Sequence, residues 1–420
     1  MLNEAMEARR LRGMEIAATK TIATEGDGEW LVPSQSVNAN YRVAKCPDGF
    51  TCTCPDYELR GQTCKHGFAM EFVLKRETKP DGTVIETRAA RVTYSQDWRA
   101  YNRAQTTEKA QFCTLLRDLV SSVPSPEQKR GRPQLPLSDM IFSAAFKVYS
   151  TVSGRRFMTD LRTATQLGLI ERTPHYNSIF NLLDRENLTS ILQELITRSA
   201  MPLQAVETSF AVDSTGFGVQ SFYRHYSAKY GQVKERREFL KMHAMIGVKT
   251  NIITAVAVTD SSIGDPNMLP SLLIDTADRF TVKEVSADKA YCTRQNLALI
   301  ESVGAAPYVP FKSNAVGHSM SPTWNRLFHF FHMHRDEFLP SYHKRSNVES
   351  TFSALKRKFG DTIRSKSPVA QRNEALLKAL CHNIVCVIHE VQESGAAAVF
   401  PALETGCPRK LEPAQERLNW

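Results

Sequence analysis

The most informative stretch of this sequence is residues 342–356, which read YHKRSNVESTFSALK. At about 100° per residue on a helix, its key polar side chains fall on one face, within an arc of roughly 60°. They are Tyr342, Arg345, Glu349 and Lys356. The apolar side chains form a separate stripe, which consists of Val348, Phe352, Leu355 and Phe359. We therefore predict one amphipathic helix, limited by Pro340 and Gly360, that docks on a sheet through its apolar stripe.

The polar side of this helix is unusually positive. Residues 342–372 contain eight Lys or Arg and two acidic residues. An ordinary helix with an incidental ion pair would explain Arg345 and Glu349, which lie one turn apart, but not this excess of positive charge. Arg345 can bind a phosphate or orient Glu349. Lys356 lies about 10 Å along the axis from Glu349, too far to share a metal ion with it, so we assign Lys356 to a phosphate.

The region from residue 208 onward contains apolar segments that are typical of strands. Three of them lie close together, as in an antiparallel meander, and read SFAVDST, FLKMHAMIGV and NIITAVAVTD. Two later ones, KEVSAD and APYVPF, are separated by helical segments. This order predicts an α/β domain with a mixed central sheet.

Two aspartates follow predicted strands. Asp213 ends SFAVD just before Ser-Thr-Gly, and Asp288 follows KEVSA. Each alone would more often be an ordinary turn residue, but catalytic groups gather where the strands of an α/β sheet end. With Glu349 they would form a site of three carboxylates without His or Cys ligands, which favours Mg²⁺ or Mn²⁺. Two such ions about 3.5–4 Å apart can activate a water or a 3′-hydroxyl and stabilise the departing oxygen of a phosphodiester.

These motifs resemble a known family. The spacing Tyr-x2-Arg-x3-Glu-x6-Lys from Tyr342 to Lys356 is similar to the signature of a large group of bacterial insertion-sequence transposases of the DDE class. Asp213-Ser-Thr and Asp288-Lys-Ala-Tyr291 resemble their aspartate motifs, with Lys289 where the family often has Gly. The resemblance covers about residues 205–390.

The resemblance implies a ribonuclease H-like fold and cut-and-paste or related strand transfer with two divalent ions. It implies that Asp213, Asp288 and Glu349 are the catalytic metal ligands. It also implies that Tyr291 and Tyr342 contact or stack on the DNA terminus near the scissile phosphate.

A cysteine cluster lies near the start of the chain. Four of the nine cysteines occur within residues 46–64, and the others are scattered. Three thiols and an imidazole at C-x-C-x9-C-x-H spacing are a suitable tetrahedral set for a structural Zn²⁺; they are Cys52, Cys54, Cys64 and His66. The spacing resembles the SWIM zinc finger, a module associated with DNA or protein binding. Accidental reduced cysteines are the alternative, and Cys46 could be a bystander or a substitute ligand.

The composition is that of an ordinary globular protein with a basic balance. The net charge of +9 and the pI of about 9.0 hint at a polyanionic partner, although a generic basic enzyme would also have them. No stretch of the sequence is apolar and long enough for a transmembrane helix, and the first twenty residues do not resemble a secretory signal. We predict a cytoplasmic protein that is nucleoid-associated when bound to DNA.

The predicted organisation has four parts. Residues 1–90 form the SWIM-like zinc-binding module. Residues 91–205 form a helical, DNA-binding region with a linker near 121–136. Residues 206–392 form the catalytic domain, and residues 393–420 form a tail. Within the helical region, residues 173–185 resemble the second half of a helix-turn-helix, with a plain packing helix as the alternative.

Two weaker signals remain open. Residues 129–133, KRGRP, resemble a minor-groove hook but are equally typical of a basic linker. The tract of His329, His332 and His334 could bind metal, but it lies in an aromatic-rich amphipathic segment that more simply packs.

The sequence thus favours a DNA transposase that cleaves and joins strands at the ends of its insertion sequence. Its partners would be double-stranded DNA, in the form of terminal inverted repeats and a target, and a second copy of the chain. The alternatives are a domesticated or inactive DNA-binding regulator and a nuclease of the same fold that does not join strands.

Overall fold

A computed structural model describes residues 2–26, 28–35, 39–46, 49–78, 84–88, 97–127, 133–219, 239–395 and 398–401. The chain divides into two compact units, Met1–Gln96 and Asp97–Trp420. Residues 129–132 of the basic KRGRP segment and residues 402–420 of the predicted tail lie outside the described residues.

The first unit contains a small antiparallel sheet with helices before and after it. The helices are α1 (Leu2–Thr19), α2 (Pro55–Arg60) and α3 (Lys65–Val73). The sheet follows chain order and contains β1 (Ala23–Gly26), β2 (Glu29–Pro33), β3 (Asn40–Cys46) and β4 (Gly49–Cys52). A separate hairpin pairs β5 (Leu74–Thr78) with β6 (Val84–Arg88).

Close packing of α1 on α3 holds this unit together. A side chain at Gly13 would bring a Cβ within 2.6 Å of the Phe68 Cβ and within 2.8 Å of the Lys65 carbonyl oxygen. Only glycine therefore permits the two helices to approach this closely. Ile16, on the next turn of α1, is fully buried in the same core.

The second unit begins with five helices. They are α4 (Trp98–Ser121), α5 (Leu137–Ser150), α6 (Gly154–Gln166), α7 (Tyr176–Leu183) and α8 (Asn187–Ala200). Asp97 caps α4 by accepting hydrogen bonds from the amides of Arg99 and Ala100. Apolar side chains of these helices and of the following sheet share one hydrophobic core.

The sheet of the second unit is mixed, as the sequence predicts. Its strands are β7 (Ser209–Val219), β8 (Phe239–Gly247), β9 (Ile253–Asp260), β10 (Glu284–Ala287), β11 (Ala306–Tyr308) and β12 (Thr362–Ile363). The strand order is β11-β10-β7-β8-β9, and β12 pairs with the last part of β7. The pairs β7–β8 and β8–β9 are antiparallel, which confirms the meander, whereas β10 runs parallel to β7 and to β11.

Among the residues that the structure describes, six further helices follow in this unit. They are α9 (Leu269–Ala277), α10 (Arg294–Ser302), α11 (Pro322–Met333), α12 (Arg335–His343), α13 (Ser346–Phe359) and α14 (Pro368–Ser394). Helix α14 joins the helical region to the sheet through Asn383, which is fully buried. The Asn383 side chain accepts from the Ile253 amide at 2.9 Å and donates to the Ile196 carbonyl at 3.2 Å, so β9 and α8 meet at this residue.

The prediction of one continuous helix from Tyr342 to Lys356 is wrong. The chain forms α12 and α13 with a turn at residues 344–345, and Pro340 lies inside α12 rather than before a helix. Ion pairs hold the turn against two different strands, because Lys344 pairs with Glu284 of β10 and Arg345 pairs with Asp213 of β7. The apolar stripe of α13 is confirmed, because its four members are all buried: Val348, Phe352, Leu355 and Phe359.

Candidate active site and metal centre

Asp213 lies in the middle of the central strand. The sequence predicts that the strand ends at Asp213, but β7 continues to Val219 because its residues as far as Gly218 pair with β8. This prediction is corrected: what ends beside Asp213 is the neighbouring strand β10. The parallel register sets Val212 opposite Ala287, the last residue of β10.

Asp288 follows directly after β10, as predicted. It caps the 3₁₀ helix Lys289–Tyr291, with its Oδ1 atom 2.5 Å from the Lys289 amide. Because Ala287 lies opposite Val212, the next position on each strand carries an aspartate. The parallel pairing of β7 and β10 thus brings Asp213 and Asp288 to one place at the edge of the shorter strand.

Glu349 reaches the same place through an arginine. The guanidinium of Arg345 donates to Asp213 Oδ2 and to Glu349 Oε1, each at 2.7 Å. Arg345 precedes α13, and Glu349 is in its first turn. The Glu349 side chain is 63% exposed, whereas that of Asp213 is 22% exposed, so the bridge connects an open carboxylate to a partly buried one.

The charges of the other two acids act on Asp213. Burial raises the pKa of the Asp213 carboxyl, and the Ser214 amide and the Arg345 charge oppose that rise. The charges of Asp288 and Glu349 act on the same carboxyl and raise its pKa further. The site therefore concentrates negative charge that Arg345 only partly neutralises.

The carboxylates are a suitable donor set for a hard cation, although Arg345 now bridges two of them. Within the described part of the chain, their oxygens do not form a group at metal-ligating spacing. Oxygen donors alone suit Mg²⁺ or Mn²⁺. A cation in place of the guanidinium would contact Asp213 and Glu349. Asp288 would lie next to Asp213, because β10 pairs with β7 in parallel register.

Tyr291 lies deep in the site. Its side chain is 1% exposed, and its hydroxyl has no hydrogen-bond partner among the described residues. Burial raises the pKa of Tyr291, and the charges of Asp213, Asp265 and Asp288 raise it further. The ring is not open to stack on a DNA base in this structure, so a DNA contact by Tyr291 stays a prediction that requires the site to open.

Tyr342 and Lys356 are more accessible but are separated. Tyr342 lies on α12, where its ring stacks on Phe338 with centroids 5.9 Å apart. Lys356 lies on α13 with its Nζ 5.5 Å from the centre of the Phe217 ring. Both side chains are half-buried. The structure therefore keeps Arg345 and Glu349 together, while Tyr342 lies on a different helix.

Sequence reasoning missed a polar network beside Asp213. Asp265 accepts from Ser214 Oγ and from Lys241 Nζ, both at 3.0 Å, and lies 3.6 Å from Nδ1 of the buried His243. Asp265 follows β9 after a short turn, much as Asp288 follows β10. Its position after a strand is the sequence feature that could have identified it as a candidate site residue.

The cysteine cluster has the geometry of a closed metal site. One ligand atom from each of four buried side chains lies within 4.8 Å of the others, and these side chains are Cys52, Cys54, Cys64 and His66. The Nδ1 atom of His66 is 3.8 Å from the sulfurs of Cys52 and Cys64. A tetrahedral Zn²⁺ with bonds of about 2.0–2.3 Å separates its ligand atoms by roughly 3.5–3.8 Å, so the donors fit Zn²⁺.

The elements around the cluster explain its formation. Cys52 ends β4, whereas Cys54 and Cys64 occupy the N-caps of α2 and α3. Hydrogen bonds from Cys52 and His66 lower the pKa of Cys64, which favours the thiolate that a metal would bind. Cys46 is exposed and lies outside the cluster, 3.8 Å from the Thr51 hydroxyl.

The other predicted motifs receive less support from the geometry. Among the described residues, the cysteine cluster is the single group of three or more potential ligands at metal-binding spacing, so His329, His332 and His334 do not form one. Helix α7, capped by His175, buries Ile179 and Leu182. Its DNA contact stays a prediction.

Comparisons with known proteins match part of this chain to a transposase domain. Residues 205–384 match the family model of the transposase DDE domain. A probable transposase for insertion sequence element ISA1214 of Archaeoglobus fulgidus is 25% identical over 217 residues, which are 50% of this chain. The chain spans 63% of the length of that relative.

A second relative adds no functional description. An uncharacterized protein of Aquifex aeolicus is 24% identical over 264 residues, which are 61% of this chain and 77% of that protein. No solved structure matches the chain significantly. In the part of the chain that the structure describes, no helix combines the length and the apolar character needed to cross a membrane.

Proposed function

We propose that this protein is a DNA transposase that cleaves phosphodiester bonds at the ends of an insertion sequence and joins the ends to a target. The observation that carries the proposal is the convergence of Asp213, Asp288 and Glu349 within the region that matches the transposase DDE domain. Their proximity depends on the parallel pairing of β7 with β10 and on Arg345.

The three carboxylates would hold two Mg²⁺ or Mn²⁺ ions. When bound, such ions activate the attacking hydroxyl or water and stabilise the departing oxygen. Asp213 and Asp288 supply rigid oxygens, because Asp213 accepts from the Ser214 amide and Asp288 from the Lys289 amide. Glu349 would supply an exposed oxygen from the first turn of α13.

Arg345 would change partners when DNA binds. It now neutralises Asp213 and Glu349, and its forked donors match a phosphate as well as a carboxylate. Ions at the carboxylates would free the guanidinium to bind the DNA backbone. Lys356, whose ammonium group lies over the Phe217 ring, would contact the DNA backbone near Arg345. Tyr342 would contact the DNA as well.

The first unit would hold a structural Zn²⁺ at Cys52, Cys54, Cys64 and His66. A folded zinc module of this kind would serve DNA or protein recognition rather than chemistry, because four protein ligands leave no open position on the ion. The helical region would add contacts to terminal repeats. We further propose that a homodimer assembles on double-stranded DNA in the cytoplasm, because joining two ends requires two active sites.

The test is cleavage of a labelled DNA end in Mg²⁺ by Asp288→Asn and Glu349→Gln. We expect both variants to lose cleavage by at least about 10³-fold while retaining DNA affinity, because a lost metal ligand removes chemistry before binding. Asp260→Asn, at the exposed end of β9, is the matched control and should cleave normally. Normal turnover by Asp288→Asn would contradict the assignment.

The same assay separates the two alternatives. A pre-cleaved end offered with a target plasmid reports strand transfer directly. Cleavage without transfer would indicate a nuclease of the same fold, and DNA binding without either product would indicate a regulator.

A further inference from the structure

The network around Asp265 has no part in the function proposed above, yet it lies beside Asp213. Asp265 begins the 3₁₀ helix Asp265–Met268. Its Oδ1 accepts from Ser214 Oγ and Lys241 Nζ, both at 3.0 Å. His243, which is completely buried, directs Nδ1 toward the same oxygen at 3.6 Å, and this nitrogen has no hydrogen-bond partner among the described residues.

Ser214 connects this network to the candidate active site. Its amide donates to Asp213 Oδ1 at 2.8 Å, and its hydroxyl donates to Asp265. Because successive side chains of a strand point to opposite faces, Ser214 leaves the sheet on the face opposite to Asp213. Asp265 therefore holds the 213–214 segment from one face while the Asp213 carboxylate acts on the other.

The helix that carries Asp265 is also tied to the turn after Asp288. The buried amide of Asn296 donates to the carbonyl oxygens of Pro266 and Tyr291, both at 3.1 Å. Tyr291 ends the turn that Asp288 caps. Asp213, Asp265 and Asp288 are, in addition, the carboxylates whose charges act on the buried hydroxyl of Tyr291. Residues Asp265 and Pro266 thus bond to Ser214, which follows Asp213, and to Asn296, which bonds to the turn after Asp288.

We propose that Asp265 is a positioning residue of the active centre, which fixes the carboxylate of Asp213 through Ser214. The inference rests on the proposed function, because it assigns Asp265 to the same reaction. A displacement of a reacting group by about 1 Å can lower a rate by roughly 10²-fold. The bond from Ser214 to Asp265 on the opposite face of the sheet would therefore help to keep the Asp213 carboxylate in position.

A double-mutant cycle tests this role. Ser214→Ala removes the hydroxyl and keeps the amide that binds Asp213, and Asp265→Ala removes its partner. We expect each variant to lower kcat for DNA cleavage by about tenfold with KM for DNA unchanged, and the double variant to be no slower than the slower single one. Ser214→Thr keeps the hydroxyl and should retain most of the wild-type kcat. Asp260→Asn again serves as the control.

Several results would overturn the inference. Normal kcat in Ser214→Ala, or effects of the two single variants that multiply in the double variant, would show that the pair does not act as a unit. A raised KM with normal kcat would assign the network to DNA binding instead. The thermal midpoint of each variant, measured alongside, and the rescue by threonine separate positioning from a general loss of folding. Wild-type protein that leaves DNA uncut in Mg²⁺ would contradict the proposed function itself, whereas an active wild type with an unaffected Ser214→Ala contradicts this inference alone.

Discussion

The two candidate metal sites of this protein are built in opposite ways. The thiol and imidazole donors of the first unit come from residues 52–66 and already lie within 4.8 Å of one another. The carboxylates of the second unit come from three distant segments, and Arg345 bridges two of them. In the first site the four donors lie next to one another. In the second site the Arg345 guanidinium lies between two of the acids.

This difference predicts that the stability of the two units depends on metal to different degrees. The first unit has a small core, so a closed Zn²⁺ site would supply a large share of its stability. The sheet of the second unit is held by an extensive core of its own, and Arg345 supplies the positive charge that the acids need. Metal removal should therefore unfold the first unit and leave the second folded.

The largest expected effect is loss of the first unit when its metal is removed. Structural Zn²⁺ contributes about 10–16 kcal/mol in small zinc fingers, so a chelator or Cys64→Ser should unfold residues 2–78. Hydrogen exchange followed by mass spectrometry should show full exposure of the first unit, with protection retained in the described helices and strands of the second unit. Cys46→Ser is the matched control and should stay protected. Equal protection in Cys64→Ser and wild type would contradict a structural metal.

A smaller effect is expected from Arg345→Met. The substitution leaves the partly buried Asp213 carboxylate without its ion-pair partner, so we expect the free energy of unfolding to fall by about 1–3 kcal/mol in buffer without Mg²⁺ or chelator. Mg²⁺ should restore much of this loss, because the ions would take over the neutralisation. Thermal midpoints without and with Mg²⁺ provide the measurement.

The control for that comparison is Arg357→Met. Arg357 is exposed on the same helix and bonds to the Ser353 hydroxyl within its own helix. It should change neither midpoint appreciably. If Arg345→Met were destabilised equally without and with Mg²⁺, the view that Arg345 occupies the position of a cation would be wrong.

The smallest effect is expected from Lys356→Ala. One lost phosphate contact should weaken DNA binding and reduce the slope of log affinity against log salt by about one unit. Fluorescence anisotropy across a salt series measures that slope. An unchanged slope would remove Lys356 from the DNA interface and leave it a packing partner of Phe217.

Local patterns were sufficient for much of this architecture. Three apolar segments close together in the sequence identified the meander of β7, β8 and β9, and spacing at four, three and four identified the buried face of α13. The C-x-C-x9-C-x-H pattern identified four side chains that the structure brings together. In each case the residues that interact are close in sequence or repeat with the period of one element, so the pattern itself records the geometry.

Patterns failed where partners from distant segments compete with local preference. The strand through Asp213 does not stop at Ser-Thr-Gly, because β8 offers hydrogen bonds as far as Gly218. The helix before Glu349 divides because Lys344 and Arg345 pair with Glu284 and Asp213 on separate strands. Nor did the sequence identify Asp265, whose role depends on a bond to Ser214 across 51 positions.

By itself, the sequence determined which residues could do chemistry: three acids, a positive helix face and a set of soft metal ligands. Only the tertiary structure decided that Asp213 and Asp288 are neighbours, that Arg345 stands between Asp213 and Glu349, and that Tyr291 is buried. The physical reason is that residue type fixes chemical capacity locally, whereas proximity and burial arise from strand pairing and core packing between segments far apart in the sequence.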